Sequence, residues 1–212
     1  MLKILRPALV MILLMTGLTG LVYPFAVTGI AQAVFPAKAN GSLIQRNGQI
    51  VGSELIGQSF ASPRYFQGRP SATLGPDPAD AAKTTAQPYN GVNSMGSNAG
   101  PTAKTLIDRV QAGVADYRQA NGAGGRIVPG DAVTTSASGL DPHISPENAE
   151  AQIARVAMAR GLPHDRLRQV VADATEDRTL GFLGEPRVNV LELNLALDRE
   201  QGGLQPGTVA RQ

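Results

Sequence analysis

The sequence predicts an α+β protein: one N-terminal transmembrane helix followed by a loop-rich, mixed α/β extracytoplasmic domain. Three observations carry this. No charged residue lies between Arg6 and Lys38, helical apolar spacing recurs from Lys104 onward, and the 212 residues include 24 Gly and 15 Pro. With 42% hydrophobic and 17% charged residues, about 170 residues beyond the first segment suffice for one packed domain and do not read as a disordered polyelectrolyte.

The first element runs from near Pro7 to near Ala33 and contains VMILLMTGLTGLVYPFAV, longer than the roughly 20 residues that span hydrocarbon. Pro24 predicts a kink, and Tyr23, Phe25 and Phe35 mark an outer interfacial end. A cleaved signal peptide is the rival reading, because Ala31-Gln32-Ala33 has the form of a cleavage site. Its apolar region would then be about twice the usual 7–15 residues, which favours an uncleaved anchor. Lys3 and Arg6 precede the helix and only Lys38 follows it closely, so the positive-inside rule places residues 1–6 in the cytoplasm, 7–33 in the membrane and 34–200 outside. Thr16 and Gly20 form a small-xxx-small pair suited to packing against another membrane helix.

The later elements follow from local signals. Asn47-Gly48 between two short apolar runs predicts a hairpin over 42–51. Residues 54–100 are too rich in Gly, Pro, Asn and Ser for long regular elements, yet Tyr65, Phe66 and Tyr89 favour an ordered surface. Leu106, Ile107, Val110 and Val114 predict a helix over 104–121 with Gly122 as its stop. The β-branched residues of 126–135 suit an edge strand, Pro129 being unfit for a central one. Ser145 as cap, Pro146 at the first position and Gly161 at the end frame the next helix. A further helix is predicted over 163–175. Residues 188–198 alternate like a strand, but Asn189 as a cap tips the reading to helix. Residues 201–212 read as a flexible tail.

The chemistry that this composition excludes is broad. Beyond Lys3 and Arg6 the basic and acidic residues balance, and Trp is absent, so a nucleic-acid surface is not expected. Cysteine is absent, and no G-x-S-x-G, S-x-x-K, H-E-x-x-H or Walker motif occurs. No metal or organic cofactor is evident. His143 beside Asp141 can be imagined as a proton-transfer or metal site, but two separated histidines read more readily as structural.

Two constellations remain. The run from Thr134 to Asn148 leads into a helix N-terminus, where free amides and the dipole suit a phosphate or carboxylate; Ser136, Ser138, Gly139, Asp141 and Ser145 are the residues for a nucleotide or anion. The same residue types also cap helices and close turns without any ligand. The segment 57–71 alternates arginine with aromatic residues, so Arg64, Tyr65, Phe66 and Arg69 either dock a partner or stack internally to order the loop.

With these residues in view, the chain resembles the small C subunit of the Kdp-type potassium-transporting ATPase of bacteria. Four ordered blocks carry the resemblance: GQSFASPRYFQGRPSAT, GSNAGPTAKTL, VTTSASGLDPHISPENA and EPRVNVLELNLALD. It implies a non-catalytic accessory subunit of a high-affinity potassium uptake complex in the bacterial inner membrane. Its implied partners are a channel-like potassium-binding subunit, the P-type ATPase catalytic subunit, a small membrane peptide and the lipid bilayer. It also implies a catalytic chaperone that raises the ATP affinity of the hydrolytic subunit, so ATP enters by family attribution, shared with that subunit. The Ser136 to Leu140 stretch lacks the paired Gly and following Gln of a transporter signature, and Ala99 is smaller than the family pattern expects. An outward-facing domain would also be separated from ATP, which favours a role in assembly or as a lid over the outer potassium pathway. The reading from another class is a solitary membrane-anchored protein that binds a small anion.

Overall fold

The computed structural model describes residues 2–80, 82–122, 125 and 127–200, with side chains from Ile4 on. These residues form two compact units that meet in sequence between Ser53 and Glu54.

The first unit begins with α1 (Leu2–Gly17), a π-helical turn (Leu18–Val22) and α2 (Tyr23–Val34). The π turn lies immediately before Pro24, where a kink is predicted. Proline cannot donate and its ring crowds the preceding carbonyls, so the turn before it widens and the Tyr23 N–H donates to Leu18 O. Ile4–Val34 is long and apolar enough to cross a membrane, and none of its apolar stretch is buried within the protein. A Cβ on Gly20 would lie 4.0 Å from Thr16 Cγ2, so the two small residues sit together on an exposed face. Phe35 leaves helical geometry, α3 (Pro36–Ala39) adds one turn, and Gln32 and Asn40 exchange side-chain amide hydrogen bonds of 3.3 and 3.1 Å across it. The predicted hairpin follows as β1 (Leu43–Arg46) and β2 (Gln49–Ser53), with Asn47 and Gly48 both at positive φ in its turn.

The second unit opens with a long irregular path broken by a small antiparallel ribbon, β3 (Leu74–Pro76) and β4 (Thr84–Ala86). Helix α4 (Lys104–Asn121) follows and ends at left-handed Gly122, as its spacing predicts. Then come β5 (His143–Ile144), α5 (Pro146–Arg160), α6 (His164–Asp173), β6 (Thr175–Glu176), β7 (Arg187–Asn189) and α7 (Val190–Glu200). The strands form an antiparallel sheet in the order β5-β7-β6, and α5 and α7 pack on β7. Between them lies the core, in which Ile144, Ile153, Val156, Leu167, Val188, Leu193 and Leu197 are buried with Phe66. Each such side chain stabilises the fold by about 1.5–3 kcal/mol.

One expected element is absent. Arg126 lies outside the described residues, and from Ile127 to Thr135 there is no strand but a single 3₁₀ turn, Gly130–Ala132. The β-branched composition yields here because Asp131 is drawn to the N-terminus of α5, where it binds Ser145 and Asn148. The tail from 201 lies outside the described residues.

Candidate functional site

The segment 57–70 has no regular structure, yet its backbone is held by side chains from α5 and α7. The carbonyls of Pro63 and Tyr65 accept from Arg155 Nη1 at 2.8 and 3.0 Å, and that of Arg64 accepts from Arg160 Nε at 2.6 Å. Phe66 and Gln67 each make a reciprocal pair: Phe66 N–H donates to Asn194 Oδ1 and its carbonyl accepts from Asn194 Nδ2, both at 2.9 Å. Gln67 N–H donates to Gln152 Oε1 at 2.8 Å and its carbonyl accepts from Gln152 Nε2 at 3.1 Å. Asn194 and Gln152 thus do for this loop what a neighbouring strand does in a sheet. Both are buried, so removing either leaves main-chain groups with no water to replace it.

Of the sequence-predicted docking residues, Phe66 is fully buried in the core and has no exposed ring to offer a partner. Tyr65 is half-buried; its hydroxyl meets Asp198 Oδ2 at 3.2 Å and the Arg160 guanidinium lies 4.8 Å from its ring centre. Arg69 is also drawn inward, with Nη1 3.0 Å from Asp141 Oδ2 and further bonds to the Thr134 and Thr135 carbonyls. Arg64 keeps an exposed side chain while its carbonyl serves Arg160.

The serine run forms a tight loop beside this segment. Ser136 Oγ accepts from Gly139 N–H at 2.9 Å and Ser138 Oγ from Leu140 N–H at 3.1 Å, so both hydroxyls close local turns. Gly139 sits at φ +68°, and a Cβ there would stand 2.6 Å from Met95 O and from Thr73 Cγ2. Asp141 accepts from the His143 main-chain N–H at 3.0 Å and lies 3.3 Å from His143 Nδ1. Burial raises its pKa, but the His143 hydrogen bonds and the Arg69 charge outweigh that and hold the carboxyl below its usual value. Tyr89 ties the two ends of the 57–70 segment together. Its hydroxyl donates to Arg69 O at 2.7 Å, and its ring lies so close to Gly57 that a Cβ there would approach to 2.4 Å. Burial, then the Asp141 charge, pushes the Tyr89 hydroxyl up to about 12.

At the start of α5, Ser145 Oγ accepts from Asn148 N–H at 3.1 Å, the predicted cap. The Asp131 carboxylate then takes Ser145 N–H at 2.8 Å, Ser145 Oγ at 2.9 Å and Asn148 Nδ2 at 3.0 Å. The anion at this terminus is therefore the protein's own. Ser136, Ser138 and Asp141 line a shallow recess of about 490 Å³ with Leu55, Arg69 and Leu140, whereas Gly139 and Ser145 do not.

A family model described as the c chain of the K+-transporting ATPase, KdpC, matches residues 5–199. The chain belongs to the KdpC family. It is 61% identical over 197 residues to the potassium-transporting ATPase KdpC subunit of Methylorubrum extorquens, covering 93% of this chain and 97% of that one. The subunit of the same name from Bradyrhizobium diazoefficiens is 57% identical over 94% of this chain and 98% of its own, and that from Methylobacterium nodulans 58% over 95% and 100%. As a KdpC chain it is an accessory, non-catalytic subunit of a potassium uptake complex, and catalysis belongs to another subunit.

Among the described residues no group of three or more His, Asp or Glu could hold a metal ion. The residues that sequence reasoning missed are the polar ones that face inward: Asp131, Asn148, Gln152, Arg155, Arg160 and Asn194. A signal for some of them exists. Asn148, Gln152 and Arg155 recur at helical spacing within α5, a polar stripe on a face that also carries Ile153 and Val156.

Proposed function

We propose that this subunit acts as an anchored assembly factor of the potassium-transporting ATPase. Residues 7–33 cross the bacterial inner membrane, residues 1–6 face the cytoplasm, and residues 34–200 lie outside, where they bear on the channel-like potassium-binding subunit or shield the outer mouth of its pathway. Lys3 and Arg6 ahead of an otherwise uncharged helix support that orientation. Thr16 and Gly20 supply a face on which a partner helix, or the small membrane peptide, can approach closely.

The observation that carries the reading is Asp131 at the head of α5. A nucleotide phosphate would have to displace that carboxylate, and the Ser136 and Ser138 hydroxyls already close turns. ATP therefore stays with the P-type catalytic subunit, and the chaperone effect attributed to the family reaches it through subunit contacts. Photoaffinity labelling of the purified complex with an azido-ATP analogue tests this. Label confined to the catalytic subunit supports the reading; ATP-competable label within residues 134–148 of this chain overturns it.

A further inference from the structure

The dipeptide Asn-Gly occurs four times in the chain, beginning at Asn40, Asn47, Asn90 and Asn121. In this dipeptide an asparagine side chain is open to attack by its own main chain, because glycine sets no side chain beside the following nitrogen. The fold treats the four pairs differently. Asn40 Nδ2 donates to Gln32 Oε1 at 3.1 Å and to Pro36 O at 2.7 Å, and the Gly41 N–H donates to Lys38 O at 3.0 Å. Asn90 Nδ2 donates to Leu74 O at 2.7 Å and to Gln87 Oε1 at 3.2 Å, while its Oδ1 accepts from the Val92 N–H at 3.2 Å. Asn121 is buried, its Nδ2 donating to Tyr117 O at 3.0 Å and its Oδ1 accepting from Arg155 Nε at 2.8 Å, and the Gly122 N–H donates to Arg118 O. Asn47 stands apart. It and Gly48 are exposed in the two-residue turn between β1 and β2, and among the described residues neither the Asn47 amide nor the Gly48 N–H has a partner.

We propose that Asn47 is a modification site, the Asn-Gly pair that the native fold leaves open to deamidation into aspartate and isoaspartate. The turn must flex to bring the Gly48 nitrogen onto Asn47 Cγ, and a hairpin of four- and five-residue strands is marginal enough to do so. The nitrogen gives its proton to solvent and attacks; the N–Cγ bond forms, the Cγ–Nδ2 bond breaks, and Nδ2 takes up a proton and leaves as ammonia. Water then opens the cyclic imide at either carbonyl. The net change is a water gained and an ammonia lost, with no oxidation or reduction. Opening at Cγ gives aspartate, which sets a carboxylate beside Arg46 in a stretch, residues 36–53, that otherwise contains Lys38 and Arg46 and no acidic residue. Opening at the main-chain carbonyl gives isoaspartate, which routes the chain through Cβ and Cγ and lengthens it by an atom. A turn that holds Arg46 opposite Gln49 cannot absorb that atom and keep its register, so this product uncouples β1 from β2.

The test incubates the native full chain in its complex, and a urea-denatured sample of the same chain, at mildly alkaline pH. Peptide mass mapping follows all four asparagines, and fragmentation separates aspartate from isoaspartate. In the native sample Asn47 should convert about tenfold or more faster than Asn40, Asn90 or Asn121, each of which must first give up side-chain hydrogen bonds. In urea the four should convert at similar rates, because the fold and not the dipeptide protects the other three. A native Asn47 that stays intact while the denatured chain converts overturns the proposal. So does native conversion of any of the other three at the rate of Asn47, or a preference for Asn47 that persists in urea.

Discussion

Residues 57–70 and 177–185 are both irregular, both contain glycine and arginine, and both display aromatic residues in sequence, yet they turn those residues in opposite directions. In the first, Phe66 is buried and the main chain is held by Asn194, Gln152, Arg155 and Arg160. In the second, the main chain satisfies itself and Phe182 faces water. An Arg-aromatic composition therefore does not identify a docking surface. What decides the direction is where the backbone finds its hydrogen-bond partners, because a loop held by the core spends its aromatic groups inward.

Substitutions in each region give measurable consequences. Phe66→Ala removes a fully buried ring and should lower unfolding free energy by about 3–5 kcal/mol in denaturant titration of the detergent-solubilised chain. Asn194→Leu keeps the branched side-chain skeleton but orphans the Phe66 N–H and carbonyl, a loss of about 3 kcal/mol, or a melting temperature lower by roughly 6–12 °C. If either variant melts like the parent, the loop is not part of the core.

The acid limb of stability offers a smaller effect. The Asp141 pKa is lower in the folded protein than its ordinary value of 3.8, so its contribution is complete above that value and disappears as pH falls through the folded one. Asp141→Asn should flatten the stability profile below about pH 4. An unaltered acid limb would show that the Arg69 and His143 contacts do not persist in solution. Phe182→Ser is the smallest change: within about 0.5 kcal/mol of the parent, since an exposed ring contributes little to folding. A large destabilisation there would mean that this turn is packed, and the contrast would fail.

Much of the fold was legible because its signals are local. Asn47-Gly48 sets a hairpin, Ser145-Pro146 and Gly161 bracket α5, and Asn189 does cap α7, its Oδ1 accepting from Leu191 N–H at 3.1 Å and Glu192 N–H at 3.2 Å. The sheet was not legible, since β5 and β6 have two residues each and β7 three, too few for any period to appear. The expected strand at 126–135 failed for a related reason. Strand propensity is a weak preference, and Asp131 gains more by meeting Ser145 and Asn148 fourteen and more residues away. In the candidate site, the serine loop, Asp141 and the neighbouring His143 were visible as residue types, but Arg69 reaches Asp141 only in the folded chain. The apolar turn at 177–185 carried no motif at all; its character lies in exposure, which sequence does not record.

On the proposed reading the second unit is a docking body on the outer side of the membrane, remote from ATP. The chain contains no cysteine, so a single Met158→Cys on the exposed face of α5 can be labelled without background. Spheroplasts treated with a membrane-impermeant maleimide should label it fully before permeabilisation. Labelling only after permeabilisation would place the body in the cytoplasm and contradict the account.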